Sequence, residues 1–168
     1  MQFREATIND LPEIVDIYNS TIPGRMVTAD TEPVTVTDRL HWFHAHNNTT
    51  RPLWMVSDES KNHIGWVSFQ DFYGRPAYNG TAEISIYLAP ASRGKGYGKK
   101  ILAYAIARSP SLGIHTLLGF IFEQNLASLQ LFDRLGFTEW AHLEDIAVLD
   151  GNPCSLKILG LKINPANK

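Results

Sequence analysis

At residues 92–100 the sequence reads Ser92-Arg93-Gly94-Lys95-Gly96-Tyr97-Gly98-Lys99-Lys100, between a β-like run at 83–88 and a helix-like run at 101–107. Glycine reaches main-chain conformations with positive φ and lets the backbone approach a ligand closely. The first amides of a helix have no partner inside that helix. Together with the helix dipole and the basic side chains of the stretch, these amides favour an anion. The stretch therefore predicts a phosphate-binding loop at a helix N-terminus.

Two familiar nucleotide-binding motifs do not match this loop. A dinucleotide fingerprint, Gly-x-Gly-x-x-Gly, needs a third glycine where Lys99 stands. A Walker loop needs Ser or Thr after Gly-Lys, and neither Gly94-Lys95-Gly96 nor Gly98-Lys99-Lys100 supplies one. The alternative to a binding role is an ordinary strand-to-helix connection with solvated lysines.

Two linked motifs resemble those of the GNAT superfamily of acyl-CoA-dependent N-acetyltransferases. Arg93-x-x-Gly96-x-Gly98 is similar to the pyrophosphate-binding signature Gln/Arg-x-x-Gly-x-Gly/Ala. Asn125-x-x-Ser128, followed by Leu131-Phe132-x-x-Leu135-Gly136-Phe137, is similar to the later Asn-x-x-Ala/Ser and Leu-Gly-Phe segment. The resemblance implies acetyl-CoA as co-substrate. The residues expected to bind it are Ile86, Tyr87, Leu88, Arg93, Gly94, Lys95, Gly96, Tyr97, Gly98, Lys99, Asn125 and Ser128.

Hydrophobic periodicity along the chain predicts an α+β fold with a mixed sheet. Strands are expected at 2–6, 53–57, 64–71, 81–88, 116–122, 137–149 and 155–161. Helices are expected from a cap near 9, at 36–46, from the glycine loop to 108, and at 126–135. The resemblance implies the GNAT acyl-CoA N-acyltransferase fold, a twisted sheet of about seven strands with helices on both faces. In that fold the parallel strands, here 81–88 and 116–122, splay apart and admit the pantetheine arm.

Composition limits the other classes of protein. With 168 residues and 44% hydrophobic content, the chain is expected to form a single domain, 1–168, around one core. A net charge of −2 gives no basic field for nucleic acid. The first ten residues lack an apolar signal core, and no apolar run approaches the roughly 18 residues of a membrane span. A cytoplasmic protein is therefore expected.

Neither cysteine nor histidine predicts a metal site. Cys154 is the sole cysteine, so an internal disulfide and a thiolate site are not expected. His41, His44 and His46 cluster on a predicted helix, but only the first two share a face. Without a pattern such as His-Glu-x-x-His, these histidines are expected to be surface or packing residues.

Glu83 is the candidate catalytic base. An amine must lose a proton before it attacks a thioester, and the proton acceptor works best when burial raises its pKa towards neutrality. Glu83 stands among apolar neighbours on the splaying strand, although an exposed strand residue is the alternative. The segment Thr81-Ala82-Glu83-Ile84-Ser85-Ile86-Tyr87-Leu88-Ala89-Pro90 resembles Thr-Ala-Glu-x-x-Val-Tyr-Val-x-Pro of the phosphinothricin-type acetyltransferases. In that subfamily the glutamate is the proposed general base.

The same resemblance implies how the other steps are assisted. A backbone N–H near Leu88, exposed by a strand bulge, is expected to stabilise negative charge on the carbonyl oxygen. Many relatives place a tyrosine acid in the helix before Leu-Gly-Phe, but this chain has Phe132 there. Because a thiol with a pKa near 8.5 is a fair leaving group, a strong general acid is not required.

Further similarity to the phosphinothricin group points to the acceptor. It lies in Arg75-x-Ala77-Tyr78-x-x-Thr81-x-Glu83 and in Thr31-Glu32-Pro33, so Glu32, Arg75 and Tyr78 are the expected acceptor-binding residues. A guanidinium such as that of Arg75 can hold a carboxylate or phosphinate by paired hydrogen bonds. Of the subfamily's C-terminal aromatic-Gly-x-Trp-x-Asp pattern, only Gly151 is present.

The sequence therefore favours an N-acetyltransferase of phosphinothricin, methionine sulfoximine or a related amino acid. Two alternatives stay open. One is acetyl transfer to another amine, such as a protein N-terminus, a polyamine or an aminoglycoside. The other is a sensor that binds acyl-CoA without turnover. Related enzymes commonly form homodimers, so a homodimer is expected.

Overall fold

A computed structural model describes residues 1–163, which form one mixed seven-stranded sheet and four α-helices. The strands are β1 (Gln2–Glu5), β2 (Leu53–Ser57), β3 (His63–Asp71), β4 (Thr81–Leu88), β5 (Thr116–Phe122), β6 (Thr138–Leu149) and β7 (Asn152–Lys162). The helices are α1 (Leu11–Asn19), α2 (Val36–His44), α3 (Tyr97–Arg108) and α4 (Leu126–Asp133).

The sheet has the order β1-β2-β3-β4-β5-β7-β6, and its one parallel pairing is β4 with β5. That pairing is short. It joins Thr81 to Thr116 and ends at Glu83 and Leu118, so the rest of the two strands lies apart. The predicted mixed sheet and the predicted splay of these two parallel strands are thus confirmed.

Helices cover both faces of the sheet, as predicted. Helix α1 buries Leu11 and Ile14 in a cluster with Met55 and Trp66 from the sheet. Helices α3 and α4 cover the opposite face, where a larger cluster includes Ile84 of β4. Because strand side chains alternate between faces, Glu83, Ser85 and Tyr87 point towards α1 and α2. The alternation of β4 therefore sets the direction of the candidate base.

Several element boundaries differ by a few residues from the sequence-based expectation, and the starts of α3 and β7 are two of them. Helix α3 begins at Tyr97, so the last residues of the glycine stretch form its first turn. Gly96 precedes it with φ 77°, a left-handed conformation that glycine adopts without steric cost. Strand β7 begins at Asn152 and includes Pro153, which pairs with Val148 of β6.

None of the helices in residues 1–163 is both long and apolar enough to cross a membrane. In the same part of the chain, no three His, Cys, Asp or Glu side chains come together in a group able to hold a metal ion.

Candidate active site

The separation of β4 from β5 opens a cleft of about 150 Å³ in the sheet, here called the strand cleft. Its walls come from both strands, from the first turn of α3, from α4 and from the loop between α1 and α2. Of the residues predicted to bind the co-substrate, those that line it are Ile86, Tyr87, Leu88, Gly98, Asn125 and Ser128. The structure thus brings together residues from the two distant sequence motifs.

The main chain of Leu88 faces the strand cleft, but not for the reason expected. The amide of Ala89 donates to the carbonyl of Ile64 at 3.0 Å, towards β3. Amide direction alternates along an antiparallel strand, so the Leu88 amide points the other way, towards β5. The prediction of a strand bulge is wrong, because the pairing of β3 with β4 keeps an unbroken register from Gly65–Leu88 to Asp71–Ala82. Divergence of β5 alone leaves the amide available as a donor.

The glycine loop adjoins the strand cleft through Gly98 and has free main-chain amides. Gly94 and Gly96 both have positive φ, 72° and 77°. Within residues 1–163, the amides of residues 94–98 donate to no main-chain or side-chain acceptor outside the helix. Free amides at a helix N-terminus favour a phosphate group. The binding of a coenzyme diphosphate by this loop stays a prediction, to which the free amides are suited.

The basic and aromatic side chains of the loop have different positions. Arg93 holds the loop in place, because its Nε donates to the carbonyl of Leu88 at 3.0 Å and its Nη2 donates to Oγ of Ser20 at 2.6 Å. Lys95 and Lys99 are exposed to solvent. Tyr97 packs against the larger hydrophobic cluster and does not line the strand cleft. A role for these four side chains in co-substrate binding stays a prediction.

Asn125 begins α4 and also fastens a distant loop. Its Oδ1 accepts a hydrogen bond from the amide of Ser128 at 3.2 Å, which makes it the helix N-cap. Its Nδ2 donates to the carbonyl of Met26 at 3.3 Å. Asn125 therefore joins the wall of the strand cleft to the loop between α1 and α2.

Replacing Asn125 with alanine is expected to lower the free energy of unfolding by about 1 kcal/mol, because the cap is lost. Asn125→Asp retains an oxygen acceptor for the Ser128 amide and lacks only the donor to Met26. It should therefore lie closer to the wild type. Urea denaturation of the wild type and the two variants measures the order of their free energies of unfolding. Equal stability of Asn125→Ala and the wild type would show that the cap contributes nothing.

A second cavity, of about 190 Å³, lies on the α1–α2 side of β4 and is here called the Glu83 cavity. Its floor consists of side chains that pair across β3 and β4: Gln70 with Glu83, Ser68 with Ser85, and Trp66 with Tyr87. The remaining lining residues are Ile14, Val15, Tyr18, Arg39 and Trp42. Ser85 and Tyr87 also line the strand cleft, so the two spaces meet at β4.

Glu83 has the environment of a proton acceptor. Burial raises the pKa of its carboxyl group above the ordinary value, and no other effect contributes appreciably. Among residues 1–163 the carboxyl group has no hydrogen bond and no ion pair. A half-buried carboxylate without a cationic partner binds a proton more tightly than one in water. Such a group is suited to take a proton from an ammonium ion.

The floor of the Glu83 cavity also contains an unsatisfied hydroxyl group. Ser68 is 1% exposed, and its Oγ has no hydrogen-bond partner within the described part of the chain. Leaving a buried polar group unpaired costs about 1–3 kcal/mol. The Ser68 hydroxyl group is therefore covered by its neighbours and does not face the open space of the cavity.

At the mouth of the cavity, Arg39 of α2 belongs to a cluster with Tyr18, Thr28 and Asp30. The Tyr18 hydroxyl is hydrogen-bonded to Thr28 and donates to Asp30, and burial is the main cause that raises the pKa of this phenol. Nη2 of Arg39 donates to Oδ2 of Asp30 at 3.0 Å. The guanidinium group lies 4.3 Å from the centroid of the Tyr18 ring. The cluster fixes the loop between α1 and α2 beside the cavity.

The three residues predicted to bind the acceptor lie elsewhere in this chain. Glu32 is exposed in the loop between α1 and α2. Arg75 is exposed between β3 and β4, and Tyr78 packs edge-on against Phe72 with ring centroids 5.3 Å apart. None of the three lines the Glu83 cavity, so their role in acceptor binding stays a prediction.

Most residues that line the Glu83 cavity are not among those predicted from the sequence. Ser85 follows Glu83 by two residues, and strand alternation alone indicates that they share a face. Arg39 and Trp42 stand three apart on one face of a helix, which indicates that they are neighbours. No local pattern indicates that this helix face packs beside β4.

Phe132, where many relatives have tyrosine, is buried in the described structure. Its ring lies 4.7 Å from that of Phe137, and a Cβ added at Gly119 would come within 2.5 Å of it. The side chain thus packs tightly against β5 and brings no hydroxyl group to the strand cleft.

Comparison with known proteins finds similarity over nearly the whole chain. A family model described as "Acetyltransferase (GNAT) domain" matches residues 1–138. The chain is 52% identical over 164 residues to YwnH of Bacillus subtilis (strain 168), which carries the provisional name phosphinothricin acetyltransferase. This match covers 98% of this chain and 100% of YwnH.

Two further matches concern the acceptor and the co-substrate. The chain is 30% identical over 162 residues to the L-methionine sulfoximine/L-methionine sulfone acetyltransferase of Pseudomonas paraeruginosa, with 96% of this chain and 94% of that protein covered. The structure of a GNAT superfamily phosphinothricin acetyltransferase from Sinorhizobium meliloti in complex with AcCoA superposes with a TM-score of 0.89 at 26% identity, covering 99% of this chain and 91% of that one.

Proposed function

We propose that this chain, which belongs to the GNAT acetyltransferase family and is an acetyl-CoA-dependent N-acetyltransferase, acetylates the primary amine of a small amino acid of the phosphinothricin or methionine sulfoximine type. One observation carries the proposal: the strand cleft and the Glu83 cavity meet at Ser85 and Tyr87. An acyl donor in the first space and an amine in the second would come together beside the half-buried carboxylate of Glu83.

Acetyl-CoA, when bound, supplies the acetyl thioester; the chain supplies the proton transfer and the charge stabilisation. Glu83 accepts the proton of the acceptor's ammonium group, for which its raised pKa suits it. The Leu88 amide is a main-chain donor directed at the cleft, where it stabilises negative charge that develops on the carbonyl oxygen. The free amides of residues 94–98 hold the diphosphate.

The size and chemistry of the Glu83 cavity support a small acceptor. Its volume of about 190 Å³ is below the roughly 300–1,000 Å³ typical of sites for drug-sized ligands. Its lining includes the aromatic side chains of Trp42, Trp66 and Tyr87 together with the carboxyl group of Glu83. These groups suit a compact amino acid whose side chain has an apolar part and a polar end. An aminoglycoside or a folded protein terminus needs a larger opening.

Release of free thiol from acetyl-CoA across a panel of amines tests the proposal. The panel contains phosphinothricin, methionine sulfoximine, spermidine, an aminoglycoside and a short peptide with a free N-terminus. We expect thiol release with the first two and little with the others. Preferential release with spermidine or the peptide would contradict the proposed acceptor class. Binding of acetyl-CoA without thiol release for any amine would favour a sensor.

The homodimer, the single domain spanning 1–168 and the cytoplasmic location stay predictions. Residues 164–168 lie outside the described part of the chain. Light scattering of the purified protein measures the oligomeric state directly.

A further inference from the structure

We propose that the hydroxyl group of Ser85 relays the proton of the acceptor's ammonium group to Glu83. This assignment rests on the proposed function, in which Glu83 is the base, and adds a second catalytic residue to it. It follows from the point on β4 where the two spaces meet, from the spacing between that point and Glu83, and from the surroundings of the Ser85 hydroxyl group.

The strand cleft opens one residue beyond Glu83. Glu83 stands opposite Leu118 in the last residue pair that joins β4 to β5. Glu83 therefore lines only the cavity named after it, whereas the strand cleft is lined by β4 from Ile84 onward. Among the described residues, Ser85 and Tyr87 line both spaces. An amine that attacks an acetyl group held in the strand cleft must therefore cross β4 beside one of these two residues.

The spacing along the strand selects Ser85 from this pair. Residues two apart share a face of the sheet and lie about 6.6 Å apart, whereas residues four apart lie about 13 Å apart. A proton donor must come within about 2.6–3.2 Å of the base, directly or through one water molecule. The side chains of Ser85 and Glu83 can meet this condition. Tyr87 is four residues from Glu83, and its ring is held against Trp66 with ring centroids 4.4 Å apart.

The Ser85 hydroxyl group is free to act in either direction. Within residues 1–163 it makes no hydrogen bond, as is also true of Ser68, which stands opposite it on β3. The Ser68 oxygen is covered by its neighbours, but the Ser85 oxygen is not. A serine hydroxyl group can accept one hydrogen bond while it donates another, and its hydrogen rotates to suit. Ser85 can therefore accept from an ammonium group and donate to a carboxylate.

The relay moves one proton and leaves serine unchanged. The proton of the ammonium group goes to Oγ of Ser85 as the hydroxyl proton of Ser85 goes to the carboxylate of Glu83. Burial raises the pKa of Glu83, which favours transfer in this direction. The freed lone pair of the amine then forms the C–N bond while the C–S bond breaks. The sulfur leaves with the bonding electron pair and takes the second amine proton, and Glu83 later returns its proton to solvent.

Three substitutions at one position test the relay: Ser85→Ala, Ser85→Thr and Ser85→Val. We expect Ser85→Ala to lower kcat by about 10–100-fold, less than the full effect of a base, because water replaces the hydroxyl group in part. Ser85→Thr keeps the hydroxyl group and should stay close to the wild type. Ser85→Val has nearly the shape of the threonine variant without its hydroxyl group, so its kcat should fall as in Ser85→Ala. The affinity for acetyl-CoA should change little in all three.

A double variant shows whether Ser85 and Glu83 act as one unit. A relay without its base has no function, so Ser85→Ala should cause no further loss of kcat in the Glu83→Gln background. The other titratable or charged side chains of the Glu83 cavity, Tyr18, Arg39 and Tyr87, are the same in every variant. Losses that multiply in the double variant would overturn the relay.

Ser57→Ala is the control, because Ser57 is a buried serine of β2 outside the lining of both spaces. Its kcat should equal that of the wild type. Thermal unfolding identifies a variant that fails to fold, and if Ser85→Val does so, Ser85→Ala and Ser85→Thr carry the comparison.

The relay and the proposed acceptor class fail on different results. Equal kcat in the threonine variant and the variant that lacks a hydroxyl group overturns the relay. If spermidine or the peptide is the better acceptor, the proposed acceptor class fails, and the same ratios measured with that amine still decide the relay. Absence of thiol release with every amine overturns both.

Discussion

Replacing Glu83 with glutamine is expected to lower kcat/KM for the amino-acid acceptor by about 10²–10⁴-fold at neutral pH, the usual contribution of a positioned base. Glutamine keeps nearly the same shape and cannot accept the proton. The affinity for acetyl-CoA should be unchanged, because Glu83 does not line the strand cleft. Steady-state thiol release and calorimetric titration of acetyl-CoA measure the two quantities separately.

The dependence on pH distinguishes a base from a structural residue. In the wild type, kcat/KM should fall as pH falls through the raised pKa of Glu83, and Glu83→Gln should lose that limb of the profile. Glu144→Gln, at an exposed position on β6, is the matched control and should retain the wild-type profile. A Glu83→Gln variant with the wild-type profile would remove Glu83 from the role of base.

The same substitution is expected to stabilise the fold at neutral pH. Burial raises the pKa of Glu83, so the folded chain binds this proton more tightly than the unfolded chain. Stability then falls as pH rises from the ordinary value of 4.5 through the folded pKa. Glu83→Gln lacks this loss. At pH values above the folded pKa of Glu83, the melting temperature of Glu83→Gln should be higher than that of the wild type. Below pH 4.5 the two melting temperatures should match.

Replacing Gly96 with valine is expected to weaken acetyl-CoA binding by about 10–100-fold, because a β-branched residue at this φ costs about 1–3 kcal/mol and coenzyme binding requires the loop to keep this strained conformation. An added Cβ at Gly96 would meet no atom within 4 Å, so the cost is conformational rather than a clash. The loop must either accept the strain or move its free amides. Isothermal titration of the coenzyme measures the loss.

Gly113→Val separates the effect on binding from the effect on stability. Gly113 has φ 70° and open space at its Cβ position, as Gly96 does, but it precedes β5 outside the strand cleft. Both variants should therefore lose similar stability in urea, and only Gly96→Val should lose coenzyme affinity. Equal coenzyme affinity in the two variants would contradict the assignment of residues 92–100 as the diphosphate loop.

The fold was largely predictable where local signals are strong. Strand β4 has the predicted bounds, because β-branched and apolar residues end at Pro90. The start of α3 was less certain from sequence, since glycine and lysine near a helix N-terminus resemble a loop. The left-handed Gly96 lets the helix begin at Tyr97, four residues before its first fully apolar turn. The first residue of such a helix depends on main-chain geometry, which the helix propensities of the residues do not reveal.

The candidate site was predictable only in part. The role of Glu83 can be predicted from the sequence of one strand, and the glycine loop from one strand-to-helix junction. Both predictions therefore depend on local sequence. The Glu83 cavity needs α2 to pack beside β3 and β4, and this contact brings Arg39 close to β4 residues that are more than forty positions away in the sequence. Motif similarity pointed to Arg75, whereas the packing of α2 brings Arg39 to the cavity. Packing between distant segments cannot be derived from periodicity.

The short parallel pairing of β4 with β5 also bears on how the chain tolerates heat. Beyond Glu83 and Leu118, each strand presents main-chain groups that its neighbour does not satisfy. Unsatisfied strand edges are templates on which other chains assemble into aggregates. A coenzyme bound in the strand cleft, as proposed, would cover these edges, so it should suppress aggregation during heating by more than its contribution to stability alone explains.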